Sequence, residues 1–174
     1  MRGGAHKGRR RRAQTSVVLL LLVCAACTPR GPFAGGPLSG KPGPAHVASW
    51  EFAADEKGLE LETRPENPRS VTLWLWADGP HLYVASSLIG GTKEPSERTW
   101  VAHITGNPRV RILIRGLIYE RRAHRVIEPS EYERARAGLE RKYDLDPSER
   151  DPERSVWIFR LDPRGSGERS PGDS

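Results

Sequence analysis

A chain of 174 residues with a net charge of +6, 36% hydrophobic and 29% charged side chains and two cysteines has material for one modest globular domain. That excludes a multidomain architecture, a disulfide-stapled scaffold and a multi-spanning membrane protein. The charge is also uneven: Arg2, Lys7 and Arg9 to Arg12 are the only charged groups through residue 26, and the remainder holds 22 basic and 22 acidic side chains, so no nucleic-acid partner is expected.

The basic opening is followed by a short apolar run, Val17, Val18, Leu19 to Leu22 and Val23, and then by Cys24, Ala25, Ala26 and Cys27. This order suits export, with the cationic end retained on the cytoplasmic side and small residues at the cleavage point. Ala13-Gln14-Thr15 lacks the apolar residues that follow a twin-arginine pair, so the arginines are read as the basic region of a general secretory signal. The stretch Val23-Cys24-Ala25-Ala26-Cys27 resembles a bacterial lipoprotein signal. That resemblance implies removal of residues 1–26, acylation (palmitate) at Cys27 and a lipid anchor in the membrane of a bacterial cell envelope. Modification at Cys24 would put bulky Val23 before the cut, so Cys27 is the acceptor.

Glycine and proline dominate from Thr28 to about Ala48, which makes residues 27–48 a flexible tether. Residues 49–162 form the folded unit, and residues 163–174 offer no core and read as a disordered tail. Leu59 to Thr63 alternates apolar and polar residues as a first strand, and Val71 to Trp76 is a second, with Val71, Leu73 and Leu75 on one face. Asp78-Gly79-Pro80 turns the chain into a third strand over His81 to Ser86. Ser96 caps a helix near 96–105 carrying Trp100 and Ile104, which stops at Gly106-Asn107-Pro108. Val110, Ile112 and Ile114 mark the fourth strand, Leu117 to Ile127 the fifth and Val156 to Leu161 the last. Between these last two, Ser130 and Glu133 form a capping box for a helix over 130–143, with Tyr132, Ala135 or Arg136, Leu139 and Tyr143 inward and Arg134, Arg136, Glu140, Arg141 and Lys142 toward water. The expected fold is therefore mainly β with two helices, a six-stranded antiparallel barrel.

The order Leu82 to Gly91, then Trp100, Asn107-Pro108-Arg109-Val110, Tyr119 to Val126 and Leu139 to Tyr143 resembles the flavin-binding split β-barrel superfamily, which includes pyridoxamine-phosphate-oxidase-like proteins and deazaflavin-dependent nitroreductases. The resemblance spans most of the domain. It implies a split barrel, often homodimeric, and a cofactor groove at Ser86, Ser87, Gly90, Gly91, Lys93 and Arg98. Hydroxyls and loop N–H groups can bind a cofactor phosphate, glycines admit its close approach, and the cations balance it. The implied function is a lipid-anchored oxidoreductase using FMN, or in second place a deazaflavin, to reduce a small molecule; no catalytic acid or nucleophile is assigned. Arg64 to Ser70 lacks the Gly-Arg-Arg-Ser-Gly-like stretch of the deazaflavin branch. The alternative is a noncatalytic envelope binding protein with a cofactor-free split barrel.

Other chemistries lack their patterns. His46, His81, His103 and His124 have no zinc spacing, so no metal site is expected, and Gly90-Gly91 lacks the Gly-Lys-Ser/Thr ending of a P-loop. No triad joins Asp78 and His81 to Ser86 or Ser87, and His103 is read as a side-chain contact rather than a catalytic group.

Overall fold

In a computed structural model the chain is described over residues 35–86, 94–150 and 155–165. The expected signal, Cys27 and residues 87–93 lie outside these residues. Among the described residues, no helix is long and apolar enough to cross a membrane.

Period-two alternation produces the strands where it was read, and the pairing changes their count. The elements are β1 (Lys41–Pro42), β2 (Leu59–Thr63), β3 (Arg69–Leu73), β4 (Leu75–Asp78), β5 (His81–Ser86), α1 (Thr99–Gly106), β6 (Arg109–Ile114), β7 (Leu117–Arg125), α2 (Pro129–Tyr143) and β8 (Trp157–Pro163). The sheet runs β3-β2-β6-β7-β8-β5-β4, with β1 paired in parallel to β7. The expected six-stranded antiparallel barrel is thus corrected to an eight-stranded open half-barrel that turns through 239° with edges 6 Å apart. Mainly β with two helices holds. The extra strands have a physical origin. The run Val71 to Trp76 is not one strand but two: Leu73 pairs with Leu59 of β2, whereas Leu75 pairs with Val84 of β5. Trp74 is the joint, so the two edges of the sheet are consecutive pieces of chain.

The interior holds Leu61, Leu75, Leu82, Val84, Val110, Ile112, Ile114 and Tyr119, all buried. Val71 and Leu73, expected with them, are only half-buried against this cluster because β3 is an edge strand. A second cluster lies on the outer face, where α2 lays Ala135 and Leu139 over Trp76, Tyr83 and Ile158. Trp76 stacks on Tyr83 with centroids 5.7 Å apart. Gly138 makes this approach feasible, since a Cβ there would meet Trp76 Cδ1 at 2.9 Å. Tyr143 fastens the other end of the helix: its hydroxyl accepts from the Leu75 N–H at 3.0 Å and donates to the Lys57 carbonyl at 2.8 Å.

The helix caps differ from expectation. Ser96 lies in a 3-10 turn, Pro95–Glu97, and the residue before α1 is Arg98, without a side-chain cap. Trp100 and Ile104 are buried as their spacing implied, with Trp100 edge-on to Phe159 at 5.4 Å. α2 is capped by Glu128 instead of the Ser130–Glu133 box: Pro129 takes the first helical position, and the Glu128 carboxylate accepts from the N–H groups of Ser130 at 3.0 Å and Glu131 at 2.7 Å. Glu140, read as part of the wet face, is buried; Arg136 holds it at 2.8 Å and Arg150 at 2.7 Å. Two guanidinium groups supply what water would have supplied.

Residues 35–50, most of them expected in the tether, lie on the sheet as a strap. Gly35 bridges Ser70, the Leu38 N–H donates to Glu62 at 2.7 Å, Gly43 N–H to the Ile118 carbonyl at 2.7 Å and Trp50 N–H to the Gly79 carbonyl at 3.1 Å. The strap therefore crosses one end of the half-barrel, from β7 to the β4–β5 turn.

Tyr83 provides a test of the outer cluster. Burial, followed by the Glu131 charge, pushes its phenol up to about 12 from 10.0. The unfolded chain releases this proton first as pH rises, so the contribution is complete below about 10 and is lost between about 10 and 12. Denaturant titrations across that window should show a shallower alkaline loss of stability in Tyr83→Phe than in the wild type. Parallel curves would place Tyr83 in contact with water.

Candidate functional site

The interior face of β7 carries Leu117, Tyr119, Arg121, Ala123 and Arg125 at period two. β8 pairs beside it, with Ala123 opposite Leu161 and Arg125 opposite Phe159. α1 plugs the end of the half-barrel away from the strap without filling it. Small side chains at Ala102 and Ala123 leave a cleft of about 550 Å³ between α1 and the β7–β8 pair, lined also by Ser96, Ile104, Arg125 and Trp157. This is the size of a small-molecule site.

The cleft has an apolar floor and a cationic wall. The Arg125 guanidinium carbon lies 3.4 Å from the Trp157 ring centroid, a stacked arrangement that holds a charge against an aromatic face. Among the described residues, no carboxylate lines the cleft. A planar heteroaromatic ring with an anionic substituent fits this combination: the ring can lie on the apolar floor and the anion can meet arginine.

The residues singled out from sequence are distributed unevenly around it. Ser86 ends β5 and is buried, and its hydroxyl donates to the Pro95 carbonyl at 3.1 Å, tying together the two ends of the intervening segment. Ser87, Gly90, Gly91 and Lys93 lie outside the described residues. Arg98 is half-buried at the start of α1, two positions after the cleft residue Ser96. His103 makes the expected side-chain contact, with Nδ1 2.9 Å from Thr63 Oγ1, and burial followed by the Arg64 charge lowers its pKa. Arg125 and Trp157 were missed. Each looks ordinary in the sequence, and they meet through the β7–β8 pairing.

No family model matches the chain, and no curated protein matches it significantly in sequence. Among solved structures, a candidate pyridoxamine 5'-phosphate oxidase from Listeria innocua superposes with a TM-score of 0.50 at 19% identity, covering 66% of this chain and 90% of that one. An FAD-binding protein from Mesorhizobium loti gives a TM-score of 0.44 at 15% identity, with 64% and 84% covered. An F420-H2 dependent reductase gives 0.46 at 14% identity, with 62% and 95% covered. At 19% identity the first of these likenesses concerns the fold alone: the domain shares the fold of that Listeria innocua protein.

Proposed function

We propose that this chain is an exported, lipid-anchored oxidoreductase that holds FMN, or in second place a deazaflavin, in the cleft between α1 and the β7–β8 pair. The observation that carries this reading is Arg125 stacked on Trp157 at an apolar cleft of about 550 Å³. When bound, the cofactor supplies hydride or electron transfer to a small molecule. The chain's own residues bind and orient. Trp157 holds the Arg125 guanidinium in place, Ala102 and Ala123 leave room for a ring, and Arg125 and Ser96 hold the phosphate. Of the residues expected at the groove, Arg98 follows Ser96 by two positions and adds charge, Ser86 holds Pro95, and Ser87, Gly90, Gly91 and Lys93 lie outside the described residues. Acylation at Cys27 would leave eight residues before Gly35, a reach of at most about 28 Å from the membrane of the bacterial envelope.

The test is titration of the mature domain with FMN and with a deazaflavin, followed by calorimetry and by Trp fluorescence. Arg125→Ala should weaken binding roughly tenfold or more, the effect of losing one charge-assisted phosphate contact. Trp157→Ala should weaken it as well, with the bound flavin's absorbance shifting back toward that of the free cofactor. If neither cofactor binds the folded domain, the cofactor-free binding protein replaces this reading.

A further inference from the structure

Arg121 lies on the interior face of β7 at the end of the half-barrel crossed by the strap, and it is 1% exposed. Its guanidinium carbon is 5.1 Å from the Trp50 ring centroid and 5.3 Å from that of Tyr119. Nη1 donates to the carbonyls of Ala45 at 3.0 Å and Glu120 at 2.7 Å. Nε and Nη2 are buried and have no hydrogen-bond partner among the described residues. Arginine does not shed its proton in a protein, so this end of the barrel encloses a full positive charge and two unmet donors, a costly arrangement. Burial works against the charged form.

The unmet pair has a defined geometry. In Arg111 the same two atoms, Nε and Nη2, grip the two oxygens of Glu62 at 2.6 and 2.7 Å. In Arg150 they grip Glu140, both at 2.7 Å. This is the edge of the guanidinium that matches a planar carboxylate or two oxygens of a phosphate. Arg121 presents it without a hydrogen-bond partner, closed off from water by the strap. Two aromatic rings and two backbone carbonyls fix the group, so the edge is held in place before any ligand arrives.

We propose that the Nε–Nη2 edge of Arg121 is a binding site for a small oxyanion, of carboxylate or phosphate chemistry, enclosed beneath the strap between Gly43 and Trp50. The anion neutralises the buried charge and completes the hydrogen bonds of the guanidinium. Both atoms are closed to water with the strap down, so the anion enters only as residues 43–50 lift and make room for it. Arg121 is not a lining residue of the α1 cleft, so the site stands apart from the flavin reading.

Thermal unfolding of the mature protein in acetate, in phosphate and in chloride at matched ionic strength and neutral pH tests this. Saturating acetate or phosphate should raise the midpoint over chloride by roughly 4 °C or more, and the salt that does so identifies the chemistry. Arg121→Lys keeps the charge and loses the fork, so it should abolish the difference. Crystals grown with selenate, or with bromoacetate, should show an anomalous peak within hydrogen-bonding distance of Arg121 Nε and Nη2. That peak decides the matter if the variant does not fold. A salt-specific shift that survives in Arg121→Lys, or the absence of a peak at the fork, overturns the proposal. Flavin titration of the same preparation tests the cleft separately.

Discussion

Glu62→Ala is expected to destabilise the domain by about 3 kcal/mol, near the lower end of what breaking a buried ion pair costs. Glu62 is 3% exposed, and its carboxylate is shared between two parts of the fold. One oxygen accepts from Arg111 Nε at 2.6 Å; the other accepts from Arg111 Nη2 at 2.7 Å and from the Leu38 N–H at 2.7 Å. Alanine removes all three bonds at once. The Leu38 N–H loses its partner, and the strap loses its contact with β2. Arg111 is 34% exposed and can recover some hydration, which keeps the expected cost from reaching the top of the range. Glu62→Gln should fall between wild type and alanine, since the amide can still accept from Leu38 but brings no charge to Arg111. Urea denaturation gives the stability, and hydrogen exchange at Leu38 gives the strap. In a double-mutant cycle with Arg111→Met, the coupling isolates the ion pair from the strap contact. A loss below about 1 kcal/mol in Glu62→Ala would mean that the pair behaves as a solvated surface bridge.

The elements legible in the sequence are those whose signal is local. Val110, Ile112 and Ile114 alternate with Arg111, Leu113 and Arg115, and β6 forms there with the alternate residues buried. The Asp78-Gly79-Pro80 turn likewise yields the β4–β5 hairpin, with Asp78 opposite His81. What could not be read is where partners change. Val71 to Trp76 is an unbroken run of strand formers, and nothing local says that Leu73 and Leu75 belong to different neighbours. That choice is made by β2 and β5, each the strand next to one end of the sheet path. The strap is invisible for a different reason. Its attachment to β7 uses backbone groups, Lys41 N–H to the Gly116 carbonyl and Gly43 N–H to that of Ile118, so glycine and proline can serve without an apolar period.

Charged side chains misled in the same way. Glu140 sits in a stretch of arginines, lysine and glutamate that reads as a solvated face, but Arg150 approaches from beyond the helix end and buries it. The candidate site follows this logic. Ser86 could be located at a strand end because His81 to Ser86 is a plain strand, but its bond to Pro95 depends on how the chain returns. Arg125 and Trp157 are 32 positions apart in the sequence and meet only because β8 pairs with the far end of β7. A cleft made by register has no motif.

Ile112→Ala is expected to cost about 2–5 kcal/mol, combining lost transfer energy with the cavity left behind. Ile112 is fully buried, paired across β2 with Leu61 and across β7 with Tyr119, so it lies in the paired middle of the sheet. Its neighbours Leu61 and Tyr119 are themselves nearly inaccessible and belong to a strand-borne cluster that cannot collapse freely into the space. The effect should therefore fall in the upper half of the range. Val71 provides the contrast. It occupies the same kind of alternating position on β3, but that strand is an edge and Val71 is only half-buried, so Val71→Ala should cost less than about 1.5 kcal/mol. Equilibrium denaturation with unchanged m-values would make the two numbers comparable. Equal costs would mean that β3 is enclosed on both sides and the sheet closes in solution, because only pairing across the Trp74 joint could bury Val71 as Ile112 is buried. A small cost at Ile112 would put the centre of the interior elsewhere, and with it the floor beneath α1.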